Sequence, residues 1–389
     1  MPDSAHALVQ HWINGAEHPS SGERTAPVYD PALGVETKRV VLANKDDVDA
    51  AIASAEAAFP AWSALSLARR QAILFKFREL LEARKGELAG IITAEHGKVL
   101  ADALGEITRG QEVVEFATGL AHHLKGEFSE QVSTDVDVYS TRHPLGVVAV
   151  ISPFNFPAMV PAWFFPIAIA AGNTVVLKPS EKDPSAALWI AKLWQEAGLP
   201  DGVFTVLNGD KEAVDGLLEH PGVKAVSFVG STPIARYVYE TGTAHGKRVQ
   251  ALGGAKNHML VLPDADLDMA ADAAVSAGYG SAGERCMAIS VVLAVDTIAD
   301  DLVAKIAERI PSVKVGPGTE PDNEMGPLIT AAHRDKVAGY VEGAGSEGAT
   351  VVIDGRQGAS SDGFFLNPSL LDNVRPGTAA YDDEIFGPV

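Results

Sequence analysis

The residue of this 389-residue chain best suited to covalent chemistry is its single cysteine, Cys286. It lies in the segment SAGERCMAIS, where small residues allow close approach of the backbone and Arg285 is the immediate neighbour. A thiolate is a strong nucleophile, and nearby positive charge or backbone N–H groups lower the pKa of a thiol from about 8.5. Cys286 is therefore a candidate nucleophile if Arg285 turns towards it. The alternative is an inert buried thiol.

A second candidate is Asn155 in the turn SPFNFP, residues 152–157. Prolines on both sides stiffen this turn and fix the direction of the amide. Such an amide could donate to an oxyanion, and the loss of a donor of this kind costs about 10² to 10³ in rate. The alternative is an Asx turn in which the side chain caps its own backbone.

Two further segments lie where predicted strands end. Lys178 and Glu181 belong to VLKPSEKDP, where a carboxylate could accept hydrogen bonds from both hydroxyls of a ribose. Gly230 and Ser231 lie where AVSFVG meets STPIAR, and their N–H groups could bind a pyrophosphate. The three-glycine fingerprint of the ordinary Rossmann turn is absent. The alternative for the first segment is a solvated loop.

The elements around these residues follow a regular order, and the length predicts two or three domains. Residues 46–123 have helical periodicity, and residues 126–146 alternate polar and β-branched residues, which predicts an extended hairpin or arm. From residue 147 five β-branched runs alternate with helix-length segments, a pattern typical of a parallel sheet with crossover helices. The runs are VVAVIS, NTVVLK, GVFTVLNG, AVSFVG and HMLVLP. A second α/β set begins after about residue 251.

One apolar segment resembles a membrane span but is interrupted by prolines. No residue from Pro144 to Leu177 carries a formal charge, and this length exceeds the roughly 20 residues that cross a bilayer. Five prolines lie within it, and each would remove a helical hydrogen bond that lipid cannot replace. The segment therefore predicts a buried strand, loop and helix of a globular core.

The composition excludes several classes of protein. Lys and Arg total 31 against 51 Asp and Glu, and the formal charge of −20 repels nucleic-acid phosphates and anionic lipids. The 11 His and one Cys show no metal-ligand spacing, and the N-terminal MPDSAHALVQHW lacks the features of a targeting signal. We therefore expect a cytoplasmic protein with no metal site and with no nucleic-acid or membrane partner.

Six motifs stand in the order and with the spacing of the aldehyde dehydrogenase superfamily, which the chain resembles over essentially its whole length. They are SPFNFP, VLKPSE, FVGSTPIA, LGGAKNH, GERCMA and EIFGPV. PFNFPAMVP, GGAKNH and GERCMA together are most similar to the CoA-acylating branch that oxidises methylmalonate and malonate semialdehydes. The resemblance implies an α/β fold with two parallel-sheet domains and a β-arm. These would be an NAD-binding domain (1–125 and 147–250), an oligomerisation arm (126–146) and a catalytic domain (251–389).

The resemblance also implies roles for individual residues. Cys286 would be the nucleophile and Asn155 the side-chain donor to the oxyanion. Arg109 and Arg285 would grip a substrate carboxylate, and the alternative for Arg109 is a surface ion pair with Glu106 or Glu112. The NAD-binding residues would be Phe154, Lys178, Ser180, Glu181, Lys182, Gly230, Ser231, Glu384 and Phe386, with Lys178 and Glu181 on the adenosine ribose, Glu384 on the nicotinamide ribose and Phe386 beside the ring.

One departure from the family pattern bears on the reaction. Hydrolytic members carry a water-activating glutamate at the start of the segment ELGG, whereas this sequence has Ala251. A methyl group cannot accept a proton, so we expect the acyl-enzyme to wait for the thiol of coenzyme A. The expected reaction converts malonate or methylmalonate semialdehyde, NAD and CoA to acetyl-CoA or propionyl-CoA, CO₂ and NADH. A non-acylating aldehyde dehydrogenase, a reductase of activated acyl groups and a catalytically silent NAD-binding protein stay open as alternatives.

Members of the family usually continue beyond EIFGPV, with the rest of the catalytic domain and a strand that joins subunits. We therefore expect a C-terminally truncated chain that forms a homodimer or homotetramer.

Overall fold

The computed structural model describes residues 7–389, so the first six residues, on which part of the targeting expectation depends, lie outside the described range. By its internal contacts the chain divides into two compact units. The first unit runs to Pro27 and includes Lys38–Leu88 and Gly105–Gly253, and the second comprises Val28–Thr37, Ala89–Leu104 and Gly254–Val389.

The strands are short, as is usual for α/β proteins. In chain order they are β1 (Ala7–Val9), β2 (His11–Ile13), β3 (Ala16–His18), β4 (Thr25–Asp30), β5 (Val35–Val41), β6 (Phe128–Ser133), β7 (Val136–Tyr139), β8 (Val147–Ile151), β9 (Thr174–Lys178), β10 (Phe204–Val206), β11 (Val223–Val229), β12 (Arg248–Leu252), β13 (Asn257–Val261), β14 (Ile289–Ala294), β15 (Thr350–Ile353) and β16 (Leu370–Asp372).

The helices include three long ones in the region of residues 46–123, where helical periodicity predicted helices. In chain order they are α1 (Lys45–Ser63), α2 (Leu67–His96), α3 (Leu100–Thr118), α4 (Met159–Ala170), α5 (Ser185–Glu196), α6 (Lys211–Glu219), α7 (Thr232–Ala244), α8 (Leu267–Tyr279), α9 (Asp296–Arg309), α10 (Ala331–Ala344) and α11 (Ala379–Asp382).

A seven-stranded sheet organises the first unit, in the order β12-β11-β8-β9-β10-β2-β3. The strands from β12 to β10 are parallel, and β2 and β3 are added antiparallel. Every residue of β8 and β9 is buried, as expected for central strands covered on both faces. The core between α1 and the sheet includes Val48, Ile52, Val176 and Val226. Four of the five β-branched runs are thereby confirmed as strands of one parallel sheet.

The fifth run was placed in the wrong sheet. HMLVLP contributes to β13, which pairs in parallel with β14 in the second unit. The strand beside β11 is β12, whose sequence RVQAL alternates between exposed and half-buried positions. A short edge strand with an Arg and a Gln lacks the continuous apolar pattern of a buried strand, which is why the sequence did not reveal it.

The strand order brings three turns to one edge of the sheet. From β8 the chain runs through α4 to β9 and through α5 to β10, and it then returns to the other side of β8 to form β11. The register pairs Ile151 with both Lys178 and Phe228, so the carboxyl ends of β8, β9 and β11 coincide. In open α/β sheets, ligands bind outside such a reversal of strand order.

The second unit has its own core around the β13-β14 pair. α8, α9 and α10 contribute Ala271, Leu302 and Val337 to a buried cluster that also contains Leu328. β15 and β16 form a separate antiparallel pair.

The arm expected at residues 126–146 is present as a hairpin. β6 and β7 pair antiparallel with Phe128 opposite Tyr139, and all residues of both strands are exposed. Its role in oligomerisation stays a prediction.

The uncharged segment has the predicted structure, since it forms β8, a turn, α4 and β9. α4 has only 12 residues and contains Pro166. Within residues 7–389 no helix has both the length and the apolar character that a bilayer crossing requires.

Glu106 caps the helix that follows the SPFNFP turn. α4 has no side-chain cap of its own, and Oε1 of Glu106 accepts the N–H groups of Ala158 at 2.8 Å and Met159 at 3.1 Å. Glu106 is only 3% exposed. A buried carboxylate here satisfies N–H groups that the helix itself cannot and complements the helix dipole.

Replacing Glu106 by Ala should lower the free energy of unfolding by about 2–3 kcal/mol, because two buried N–H groups lose their acceptor. Glu112→Ala, on the exposed side of α3, should change it by less than about 0.5 kcal/mol. Urea denaturation of both variants measures the difference. Equal losses would contradict the capping role of Glu106.

Candidate active site

The SPFNFP turn and the VLKPSE segment meet at the carboxyl edge of the first unit's sheet. Asn155 is buried, at 3% exposure. Its neighbour Phe154 lies under the side chain of Lys182, whose Nζ is 4.6 Å from the centroid of the ring. This cation–π contact joins the turn after β8 to the segment after β9.

Lys178 is fixed to the main chain at the end of β9. Its Nζ donates to the carbonyls of Pro179 at 2.7 Å and Gly209 at 2.9 Å. Burial lowers the pKa of Lys178, and the nearby Glu181 carboxylate opposes that shift. Ser180 accepts the N–H of Lys182 at 3.1 Å. The side chain of Lys178 therefore holds the ends of β9 and β10 together, and at most one of its three hydrogens is left for a ligand.

The end of β11 combines close packing with an exposed helix start. The N–H of Gly230 donates to Leu252 at 3.1 Å, and a Cβ at position 230 would lie 2.5 Å from the Phe228 ring. Ser231 is the exposed N-cap of α7, and its side chain makes no capping hydrogen bond. The N–H of Gly230 is therefore already used by the Leu252 carbonyl, contrary to the expectation that it would bind a pyrophosphate, and an anion here would depend on the start of α7 itself.

Arg109 lies on α3 and is exposed to solvent. Its Nη1 is 3.6 Å from Oε2 of Glu112, and its side chain is 72% exposed. The surface ion pair proposed as its alternative role is thus present with Glu112. Substrate binding by Arg109 stays a prediction.

In the second unit, four of the predicted site residues line one cleft. These four are Arg285, Cys286, Glu384 and Phe386. Ala255, Asn257 and Gly283, which were not predicted, also line the cleft. The cleft exists because the chain turns sharply between α8 and β14. Ser281, Ala282 and Gly283 all have positive φ, at 52°, 53° and 71°. Three such residues in succession force the turn that presents Cys286.

The environment of Cys286 disfavours its thiolate. Burial and the charge of Glu384 raise the pKa of the thiol, while the N–H groups of Cys286 and Met287 oppose the shift. Arg285 donates from Nη2 to Oδ1 of Asp102 at 2.6 Å. The expectation that Arg285 would lower the thiol pKa is therefore not met, and we attribute this to its pairing with Asp102.

Glu384 lies in a strained loop at the other wall of the cleft. Burial raises the pKa of its carboxyl, and a hydrogen bond from the N–H of Ala255 and the charge of Lys256 oppose this. The next two residues, Ile385 and Phe386, have φ of 58° and 62°, a conformation that costs side-chain-bearing residues about 1–2 kcal/mol each. His333 donates from Nε2 to the Phe386 carbonyl at 2.7 Å and holds the loop.

A buried carboxylate two residues before the nucleophile was not foreseen. Glu284 is fully buried and accepts the N–H of Ile329 at 3.2 Å. The Nε2 atoms of His96 and His333 lie 3.7 Å and 3.6 Å from its carboxylate oxygens. The position of Glu284 in the GERC motif could have identified it from the sequence. Its two histidine neighbours come from distant segments and had no such local signal. Among the residues that the structure describes, no group of three or more His, Cys, Asp or Glu could hold a metal ion.

The sequence has close relatives of known name. The profile of the aldehyde dehydrogenase family matches residues 18–389. The malonate-semialdehyde dehydrogenase of Pseudomonas aeruginosa is 52% identical over 385 residues, which cover 98% of this chain and 77% of that protein. One from Geobacillus kaustophilus is 48% identical over 383 residues, which cover 98% of this chain and 79% of that protein.

Solved structures agree with the sequence relatives. A methylmalonate-semialdehyde dehydrogenase from Oceanimonas doudoroffii superposes with a TM-score of 0.96 at 51% identity, over 98% of this chain and 79% of that one. A structure described as a methylmalonate-semialdehyde dehydrogenase from Sinorhizobium meliloti complexed with NAD superposes with a TM-score of 0.97 at 46% sequence identity. The match covers 99% of this chain and 79% of that one. The expected fold class is thereby confirmed. The profile match and these relatives show that the chain belongs to the aldehyde dehydrogenase family.

Proposed function

We propose that this chain oxidises malonate or methylmalonate semialdehyde with NAD and transfers the decarboxylated acyl group to CoA. The observation that carries the proposal is that Cys286, Arg285 and Glu384 line one cleft. The named relatives, at 45–52% identity, act on malonate semialdehyde by name, and one structural neighbour is complexed with NAD. The first unit is the proposed NAD-binding domain, the second the catalytic domain and the β6-β7 hairpin the arm that joins subunits into a homo-oligomer.

The residues present fit a dinucleotide. Ser231, the N-cap of α7, is exposed and makes no capping hydrogen bond, and the start of a helix suits a pyrophosphate. The proposed adenosine side consists of Phe154, Lys178, Ser180, Glu181 and Lys182, the pyrophosphate side of Gly230 and Ser231, and the nicotinamide side of Glu384 and Phe386. NAD, when bound, supplies the acceptor for a hydride.

The covalent steps centre on the thiol. The Cys286 thiolate attacks the aldehyde carbon, forms a C–S bond and leaves negative charge on the oxygen. The N–H of Cys286 and the amide of Asn155 are the proposed donors to that oxygen. Loss of a hydride from the same carbon gives a thioester. The substrate carboxylate is held by Arg285 and Arg109, of which Arg285 is fixed in turn by Asp102.

The acyl group leaves in two further steps. Breaking the bond to the carboxylate releases CO₂ and leaves the electron pair on the α-carbon as an enolate, which takes a proton from solvent. The thiolate of CoA then attacks the thioester carbonyl, the bond to the Cys286 sulfur breaks, and the Cys286 thiolate leaves as acyl-CoA forms. Ala251, which lies on β12 in register with Phe228, has no group that can activate water.

Cys286→Ala should abolish NADH formation from malonate semialdehyde, and the wild-type protein should release acetyl-CoA only when CoA is added. The measurement is NADH absorbance with and without CoA, combined with chromatography of the acyl product. Multiple turnovers without CoA would instead favour a hydrolytic enzyme in which Glu384, already in the cleft, activates water.

Glu384→Gln should lower the pKa of the Cys286 thiol, because the carboxylate charge raises it. The rate of iodoacetamide alkylation follows the fraction of Cys286 present as thiolate. The curve of alkylation rate against pH should therefore lie at lower pH in the variant than in the wild-type protein. The protein has one cysteine, which makes the readout specific. Asp382→Asn, an exposed change in the same segment, is the matched control. An unchanged profile in Glu384→Gln would contradict the electrostatic coupling.

A further inference from the structure

Three consecutive residues of the second unit contact both walls of the cysteine cleft. Asn257, the first residue of β13, donates from Nδ2 to the carbonyl of Cys286 at 2.9 Å and to that of Ala288 at 2.8 Å. One carbonyl belongs to the nucleophile itself and the other to the residue two positions after it. One amide group therefore sets the path of the backbone that carries the thiol.

Lys256 binds the opposite wall. Its Nζ donates to the carbonyls of Ala380 at 2.9 Å and Asp383 at 2.5 Å. Asp383 directly precedes Glu384, and its own carboxylate accepts the hydroxyl of Tyr340 at 2.7 Å. Burial lowers the pKa of Lys256, and the charges of Asp383, Glu384 and Asp382 oppose this shift. The free energy needed to bury the ammonium is thus offset by its contacts with the Glu384 loop.

Ala255 completes the set, since its N–H donates to the Glu384 carboxylate. The loop needs such support because Ile385 and Phe386 both have left-handed backbone conformations. Strained residues persist only where their surroundings hold them. Lys256 holds the loop before Glu384, and His333 holds it after, at the Phe386 carbonyl.

We propose that residues 255–257 form a positioning segment that fixes the Cys286 loop and the Glu384 loop against each other, with Asn257 acting through Cys286 and Lys256 acting through Glu384. The inference rests on the proposed function, because it takes the NAD ribose as the ligand of Glu384. None of the three residues needs to touch substrate or cofactor. Their effect is the fixed separation of the thiol from the carboxylate.

The test is a double-mutant cycle on NAD affinity, measured by quenching of tryptophan fluorescence without aldehyde or CoA. Lys256→Met should raise the dissociation constant about tenfold in the wild-type background and less than about twofold in a Glu384→Gln background. Lys247→Met is the matched control, since Lys247 also donates to two carbonyls, of His220 and Val223, but at the amino end of β11. The control should change the constant less than about twofold in both backgrounds.

Two further variants separate positioning from general destabilisation. Lys256→Arg keeps the donors and should stay within about threefold of wild-type NAD affinity. It also keeps the test valid if Lys256→Met does not fold. Asn257→Ala should lower kcat about tenfold while NAD affinity changes less than about twofold.

Equal effects of Lys256→Met in both backgrounds, with normal NAD binding by the wild-type protein, would overturn this inference alone. Loss of kcat and NAD affinity together in Asn257→Ala would also overturn it. A wild-type protein that binds no NAD would overturn the proposed function and this inference with it.

Discussion

The main constraint on the cysteine cleft is the burial of two groups that must both act as anions in the proposed reaction, the Cys286 thiolate and the Glu384 carboxylate. Burial raises the pKa of both, and the carboxylate raises that of the thiol further. Backbone N–H groups oppose both shifts, and the charge of Lys256 also opposes that of Glu384. Arg285 is paired with Asp102. The raised pKa favours the neutral thiol over the thiolate. A cation that enters the cleft would favour the thiolate and so increase the reactivity of Cys286.

Each unit positions a different set of the proposed site residues. In the first unit, parallel pairing brings the ends of β8, β9 and β11 to one edge, so turns that are far apart in the sequence become neighbours. In the second unit, consecutive residues with positive φ present Cys286 on one loop and Glu384 on another. Polar side chains that take no part in the proposed chemistry, such as Asn257 and Lys256, hold these loops through main-chain carbonyls.

The parts of this structure that were predicted from sequence are those with a local signal. β8 and β9 are continuous apolar runs, and Cys286 and Asn155 stand in distinctive segments. Glu384 and Phe386 were found only through family resemblance, because EIFGPV contains no pattern that reveals its chemistry. Pairings such as Arg285 with Asp102 and Glu284 with its histidines join distant segments. Hydrophobic periodicity reports burial of a face and carries no information about such partners.

Mass spectrometry of the acyl-enzyme tests the central claim most directly. The protein would be mixed with malonate semialdehyde and NAD, without CoA, quenched in acid and digested. We expect the peptide that contains Cys286 to carry an acyl thioester, which disappears when CoA is added as acyl-CoA forms. An unmodified Cys286 peptide in a sample that has produced a full equivalent of NADH would contradict covalent catalysis by this cysteine.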